Sequence, residues 1–498
     1  MELQQLYLAL LAGGLVLLAS IGSARAAARF GLPALLLFLA VGLIIGEDGL
    51  GLAFDDTRLA QHLGTAALAV ILVEGGLTTR WADVRALLAP AGVLATAGVA
   101  VSVAVTAVGA HLLAGLSWQA ALLLGAVVSS TDAAAVFSVL RTLPVPRRVA
   151  GLLEAESGFN DAPTVILVLL FSTVPLEFDP LRVVGDVLYQ LVVGALTGLV
   201  VGRIGAWALH RIALPASGLY PLAMFGLGVV AFAAAGSAGA SGFLAAYLCG
   251  LVLANSGLPH RASLRSFAEG LGWLAQIGLF VLLGLLVTPH ELAPEVLPAV
   301  VVGLVLLLVA RPLAVLVVLG PFRVPWREQV FISWAGLRGA VPIVLATFPV
   351  VAGVPGARRV LDLVFVLVAV FTLVQGPGLL RLARWLGLVR ADAAREIQVE
   401  VAPLDVLDAE LLTVSIPPGS QLHYVMVLEL RLPEPSAITL IIRGGAAFVP
   451  EPQTRLHTGD ELLIMTTAAA RTATERRLRA VGRRGRLAHW FGEYGDPD

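Results

Sequence analysis

The decapeptide EAESGFNDAP, Glu154 to Pro163, sets three carboxylates and an asparagine inside what otherwise reads as a membrane helix. RRVAGLL (147–153) leads into it and TVILVLLFSTV (164–174) leads out. A charge at the centre of a membrane helix costs about 2.5–3.5 kcal/mol even on the lenient insertion scale, and such charges mark pathways and relays. Glu154, Glu156 and Asp161 so close together therefore ask for a function. In one helix over 149–171, Glu156 and Asn160 fall about 40° apart on one stripe, and Ser157 and Asp161 form a second stripe beside it. A lone polar pair can serve as packing glue between helices. Two adjacent stripes carrying two carboxylates line a cavity or a pathway.

The surroundings fit a polytopic membrane protein. The 498-residue chain is 58% hydrophobic and 13% charged, with mean hydropathy +0.90, whereas a soluble domain carries about 25% charged residues. The net charge of -1 argues against a nucleic-acid partner, and every fixed positive charge is arginine. The lone Cys249 cannot form an intramolecular disulfide. The first apolar run, LYLALLAGGLVLLASIG, lacks the basic residues that precede a signal-peptide core. Glu2 comes before it and Arg25 and Arg29 follow, so it reads as a first spanning helix with its N-terminus outside.

Thirteen apolar stretches recur, near 4–22, 32–46, 61–78, 90–113, 118–140, 149–171, 183–202, 218–235, 239–256, 267–288, 296–319, 328–349 and 360–380. Most have the length that a spanning helix needs; the second is short. Cytoplasmic loops retain excess positive charge, and the loops alternate accordingly. One set holds Arg25 and Arg29, Arg80 and Arg85, Arg141, Arg147 and Arg148, Arg203 and Arg211, Arg261 and Arg265, and Arg323 and Arg327. The other holds Glu47, Asp48, Asp55 and Asp56, then Glu177 and Asp179, then Glu291 and Glu295, with Arg358 and Arg359 as the exceptions. An odd number of spans puts the C-terminus in the cytoplasm. There, beyond a membrane domain of 1–392, the segments LLTVSI, HYVMVLEL, ITLIIR and DELLIMTT read as strands of a small α+β domain over 403–470. A basic tail, 471–498, partly helical in pattern, closes the chain.

Other polar groups lie at membrane depth. Ser129, Ser130, Thr131 and Asp132 interrupt the fifth span and compete with its backbone for hydrogen bonds. They fit either a helix broken over a protein-lined cavity or a continuous helix with a buried aspartate. Glu74 lies mid-span in ALAVILVEGGLTT; its partner cannot be read locally. Arg311 and Arg338 cannot shed their protons and each needs a carboxylate or a dipole end. Glycines around Arg338 and the following Pro342 again suggest a broken helix.

STDAAAVFSVL, ESGFNDAPTV, SGFLAAYLCGLVLANS and GLRGAVPIVLA, in that order, resemble the cation:proton antiporters of the NhaP and sodium/proton exchanger group. ITLIIRGGAAFVPEPQTRLHTGDELLIM resembles the C-terminal subdomain of potassium-transport regulators (TrkA-C). The combination is that of bacterial potassium/proton antiporters, whose longer members continue into a further cytoplasmic domain. The resemblance implies two inverted repeats with crossed broken helices, a homodimer among membrane lipids, and the bacterial inner membrane. It implies no cofactor beyond transported K⁺ or Na⁺ and H⁺, and a nucleotide as candidate ligand of the cytoplasmic domain. Residue by residue, Asp161 matches the cation and proton carrier. Ser157, Thr131 (through its backbone oxygen) and Glu74 match the other coordinating groups. Asp132 matches the acid that balances half-helix ends, Glu156 and Arg311 a structural ion pair, Asn160 the residue holding the crossing, and Arg338 a structural or regulatory arginine. Because Asn160 rather than an aspartate precedes Asp161, electroneutral one-for-one exchange is implied. Oxygen ligands serve both cations, so K⁺ is favoured over Na⁺ only by the type of cytoplasmic domain.

Two rival classes are weighed. GASG (239–242) with His260 imitates a rhomboid-type serine protease, although His260 falls in a loop beside Arg261, and no H-E-x-x-H zinc motif occurs. A channel gated by the cytoplasmic domain suits buried titratable groups less well than proton coupling does.

Overall fold

The computed structural model describes residues 3–30, 33–52, 54–79, 81–131, 145–174, 180–212, 214–216, 218–257, 261–388, 398–404, 409–417 and 419–484. Two compact units divide at Leu388/Val389.

In the first unit a helix or helix pair lies at each of the thirteen apolar stretches. They are α1 (Leu3–Phe30), α2 (Ala34–Ile45), α3 (Thr57–Thr78), α4 (88–114), α5 (Trp118–Ser129), α6 (Arg147–Phe171), α7 (Pro180–Arg211), α8 (Leu219–Ser237), α9 (Gly242–Ala254), α10 (Arg261–Leu285), α11 (296–319), α12a (Trp326–Ala335) with α12b (Ala340–Val351), and α13 (Ala357–Trp385). Among the described residues seven helices are long and apolar enough to cross a membrane, or eight if the bent α12 pair counts as one span. Local chemistry sets several ends. Asp56 accepts from the Leu59 amide, Ser117 from Ala120 and Ser241 from Leu244, each satisfying a first-turn N–H. Gly115 ends α4 at φ +65°, a conformation that suits glycine. As the cap of α9, Ser241 has a structural duty that removes the protease imitation; His260 lies outside the described residues.

Contacts between loops test the charge-based alternation, because loops on opposite membrane faces cannot touch. His290 bonds Asp48 at 2.8 Å, and Gln119 bonds the Phe171 and Thr173 carbonyls at 3.0 Å. Asn255 accepts from the Trp81 amide at 2.9 Å, and His210 meets the Ser256 carbonyl at 2.8 Å. Every one joins two loops that the arginine bias assigns to the same face. The exceptions, Arg358 and Arg359, are explained in the same way: Arg359 pairs with Glu295 at 2.9 Å and Arg358 approaches Glu291 at 3.9 Å. Their positive charge is balanced by acids on the arginine-poor face.

The helices pack as two groups, α1–α3 with α7–α10 and α4–α6 with α11–α13, joined through α3, α6, α7, α9, α10 and α12b. Glycine permits the closest crossings. A Cβ on Gly42 of α2 would lie 2.9 Å from the Cα of Gly284 on α10, and the reverse holds equally. Within the second group a pattern repeats. α4 contains a π-helical turn at Leu94–Gly98 and is followed by α5, whose helix stops at Ser129. α11 contains a π turn at Leu306–Ala310 and is followed by α12, bent by 53° across 336–339. With seven spans from α4 to α11, the two copies run in opposite senses through the membrane.

The second unit is an antiparallel sheet, β1 (Gln398–Leu404), β2 (Ala409–Ser415), β3 (Ala437–Arg443), β4 (Ala446–Phe448) and β5 (Glu461–Thr467), in the order β1-β2-β5-β3-β4. Helix α14 (Ala468–Arg484) buries Leu478 and Val481 in the core with Leu412, Ile441 and Ile464. Three expected strands form, but HYVMVLEL does not: Met426 makes only an isolated bridge to Arg455 and Val427–Leu430 is a 3₁₀ turn. The expected boundaries also move. β1 extends the domain upstream of 403, and the start of the basic tail belongs to it, with buried Arg477 donating to the Leu430 carbonyl at 2.8 Å. Residues beyond 484 lie outside the described set.

Buried Asp460 accepts two 2.8 Å hydrogen bonds from Arg443 and one of 2.7 Å from the His457 amide. Burial alone would raise its carboxyl, but these bonds outweigh that and hold it below the usual carboxylate range. Its stabilisation is therefore present at neutral pH and lost as pH falls through the lowered folded value. Asp460→Asn should destabilise this unit by on the order of 2 kcal/mol at pH 7. Thermal unfolding followed from pH 7 down to pH 3 should show the deficit shrinking toward acid.

Candidate ion-exchange site

The site forms where α6 passes the end of α5. Glu156, Ser157, Asn160 and Asp161 are all buried, as are Ser129, Ser130 and Thr131. α5 ends because its last residues turn away from the helix: Ser130 is extended, at φ -64° and ψ 139°. Ser129 sends its hydroxyl back to the Gly125 carbonyl at 2.6 Å, the competition with the backbone that serine brings to a helix. The extended residues then meet α6. Ser130 Oγ donates to Asp161 Oδ1 at 2.6 Å, Thr131 Oγ1 and Ser157 Oγ share a hydrogen bond of 2.9 Å, and Asn160 Nδ2 donates to Thr131 Oγ1 at 2.6 Å. One stripe of α6 thus presents Ser157 and Asp161 to the break. Asn160, from the other stripe, fastens α6 to it. Asp132 falls outside the described residues.

Glu156 points elsewhere. Arg311, immediately after the π turn of α11, places both terminal guanidinium nitrogens on its two carboxylate oxygens, with Nη2 to Oε2 at 2.7 Å. Both side chains are about 95% or more buried. The pair ties α6 to α11 in bidentate geometry, the strong form of such a bond.

Arg338 lies in the break between α12a and α12b and donates through Nη1 to the Gly336 carbonyl at 2.7 Å. α13 completes the break: Thr372 Oγ1 donates to the Arg338 carbonyl at 2.6 Å and Gln375 Nε2 to the Trp334 carbonyl at 2.9 Å. A Cβ on Gly336 would lie 3.0 Å from Arg311 Nε, 3.0 Å from Arg338 Nη1 and 3.3 Å from Thr131 Cγ2. The α12 break therefore adjoins the α5 break, and glycine is what lets them approach.

Glu74 lies on a different helix from these groups. It is buried on α3 with its side chain against Gly272 of α10, and it borders a small cavity with Met224, Phe225 and Phe267. Sequence gives its depth correctly; grouping it with Asp161 comes from the family resemblance. Ser130, Gly336, Thr372 and Gln375 carry only weak sequence signals. For Ser130 it is a run of hydroxyls, and for Thr372 and Gln375 it is two polar residues three apart in an apolar helix.

The arrangement is a buried carboxylate beside a helix break, with hydroxyls and unwound backbone around it, held between two packed helix groups. Comparison with known proteins agrees. Residues 15–385 match the family described as sodium/hydrogen exchanger, transmembrane, and residues 411–479 match the TrkA-C domain. The chain is 37% identical over 98% of its length to a protein named K(+)/H(+) antiporter NhaP2 from Shewanella sp. (strain ANA-3), covering 85% of that protein. It is 41% identical to K(+)/H(+) antiporter NhaP of Alkalimonas amylolytica over 78% of this chain and 68% of that one. The solved structure of the sodium proton antiporter MjNhaP1 from Methanocaldococcus jannaschii shares the fold at TM-score 0.64 and 23% identity, covering 76% of this chain and 100% of that one. With the motifs, the broken helices and these matches in agreement, the chain belongs to the sodium/hydrogen exchanger family and carries a TrkA-C domain behind its membrane unit.

Proposed function

We propose that this protein is a secondary active antiporter that exchanges a monovalent cation for H⁺. The observation that carries this is Asp161, 4% exposed, on a membrane helix and joined by Ser130 to the end of a neighbouring one. A carboxylate in so dry a place is costly as a bare anion. It is stable when it holds a proton or a dehydrated cation, and it cannot hold both. Competition for one site makes release of one ion the condition for binding the other. Moving the empty charged site through the barrier is unfavourable, so the cycle exchanges rather than leaks.

Asp161 is the carrier, and Ser157, the backbone at Thr131 and Glu74 of α3 are the further coordinating groups, as in the family this chain resembles. Asn160 holds the crossing, Asp132 balances half-helix ends, Glu156 with Arg311 braces α6, and Arg338 supports the α12 break. K⁺ is the favoured cation, from the names of the potassium/proton relatives and the TrkA-C domain, with Na⁺ the alternative. The protein works as a homodimer in a bacterial inner membrane, with its N-terminus outside and the 398–484 domain in the cytoplasm. That domain regulates exchange, with a nucleotide as candidate ligand.

Asp161→Asn in liposomes should abolish exchange of K⁺, Na⁺ and Li⁺ while the protein stays folded; substantial residual exchange would remove Asp161 from the carrier role. Glu156→Gln and Arg311→Gln should each cost about 3–5 kcal/mol, because one buried charge loses its partner. The double mutant should unfold at a higher temperature than the worse single mutant. Stoichiometry follows from Asn160 being neutral. At zero potential a tenfold cation gradient should balance one pH unit, and an imposed potential should not move that point. Two protons per cation would add about 2.3 kcal/mol per 100 mV. A potential-dependent shift would point to Glu74 as a second proton carrier.

A further inference from the structure

One buried polar side chain close to the carrier helix takes no part in the chemistry above. Tyr247 of α9 is 1% exposed, and its phenol oxygen has no hydrogen-bond partner among the described residues. Thr79, at the end of α3, and Glu154 of α6 are its polar neighbours. The Thr79 hydroxyl is already committed to the Gly75 carbonyl at 2.6 Å, and its approach to the phenol is looser than a hydrogen bond. A buried hydroxyl without a partner is costly, and each one asks for an explanation.

The ring sits on the boundary between the two helix groups. A Cβ on Gly158 of α6 would lie 2.8 Å from both Cε2 and Cζ of Tyr247, so the ring packs directly on the α6 backbone. Phe159 meets the same ring edge to face, with centroids 5.8 Å apart at 84°. On the other side Tyr247 is backed by α3, where Gly76 leaves room for its carbonyl oxygen. α3 and α9 belong to one helix group and α6 to the other. The contact therefore spans the seam that shifts when one group rocks against the other. Its depth follows from helix geometry. α6 rises from Arg147, on the arginine-rich face. Gly158 comes three residues before Asp161, about 4.5 Å lower along the axis and about 60° around it, and Glu154 comes four residues earlier, within about 20° of Asp161 in projection. The phenol thus lies against α6 between the Asp161 carboxylate and the arginine-rich face.

We propose that Tyr247 is a gate of the exchange path: its ring closes the seam between α6 and the α3 and α9 pair on the arginine-rich side of Asp161, and its hydroxyl gains a partner when that seam opens to water. The ring supplies the seal, and the unpaired hydroxyl lowers the cost of breaking it. The gate rests on Asp161 being the carrier, and Tyr247 acts by controlling access to that carboxylate.

The test reads access rather than exchange, so the gate and the carrier role of Asp161 can fail separately. Cys249 is the chain's single cysteine; in a Cys249→Ala background, Ser157→Cys places one thiol on the Asp161 stripe. A membrane-impermeant methanethiosulfonate reagent is then applied to the full-length protein in vesicles of either orientation. Tyr247→Ala should raise the labelling rate from the arginine-rich face by roughly tenfold or more, the room left by an open form populated at only about 0.1–10%. From the opposite face the rate should not change. Tyr247→Phe keeps the ring and should not raise the rate from either face. Gly158→Ala drives a methyl group into the ring from the other side of the contact and should raise labelling as Tyr247→Ala does. An unchanged rate in Tyr247→Ala, an equal rise from both faces, or a rise in Tyr247→Phe as large as that in Tyr247→Ala would overturn the gate. If Tyr247→Ala does not fold, Gly158→Ala decides the matter, and the lack of a one-sided rise defeats the proposal.

Discussion

The bidentate pair between Glu156 and Arg311 is the constraint from which the membrane unit is best understood. A lone carboxylate or guanidinium at this depth would be prohibitive, but together, with both oxygens engaged, they form a tie between α6 and α11. Glu156 lies five residues before Asp161, more than one turn away. Pairing it with Arg311 fixes the rotation of α6, and that rotation turns Ser157 and Asp161 toward the break in α5. The ion pair is separate from the hydrogen bonds at the end of α5; it aims Asp161 toward them.

Two broken helices make such a site affordable in lipid. Where α5 and α12 unwind, backbone polar groups lose their helical partners, and non-helical backbone at membrane depth survives only inside protein. Side chains of α13 supply some of the missing bonds at the α12 break, Thr372 to the Arg338 carbonyl and Gln375 to the Trp334 carbonyl, while at the end of α5 Asn160 of α6 donates to the Thr131 hydroxyl. Gly336 lets the two interruptions approach each other. The π turns in α4 and α11 precede the two breaks in the same order, so an internal duplication accounts for both with one structural idea used in opposite orientations.

The loops show how electrostatics and topology support one another. The arginine bias assigns each loop to a face, and the loop contacts then join only loops of the same face. Arg358 and Arg359, which break the bias, meet Glu291 and Glu295. Local acids neutralise them on a face otherwise poor in arginine. The second unit follows soluble-protein rules: a sheet with one helix, a core of Leu, Ile and Val, and the Asp460–Arg443 pair at its edge.

By itself the sequence determined the membrane class, the places of the thirteen apolar helices or helix pairs, the grouping of their loops by face, and the depth of the charges. These depend on hydropathy and net charge, which are local sums along the chain. It also located Ser157 and Asp161 on one face of α6, because helical periodicity places them side by side whatever surrounds them. Three of the four proposed strands were legible for the same reason. HYVMVLEL failed because its apolar residues turn into the core through a 3₁₀ turn rather than alternating across a sheet. The helical pattern of the basic tail was legible in part, but its arginines obscured the packing of this helix into the domain, where Leu478 and Val481 lie three apart on its buried side. The Glu156–Arg311 pair was expected from the family resemblance rather than from any local property; only the tertiary structure decided that Ser130 serves Asp161, that Glu74 faces α10, and that Arg338 and Arg311 share a cavity. Those facts depend on residues from 27 to 198 positions apart meeting across helices, and no local property of the chain encodes such a meeting.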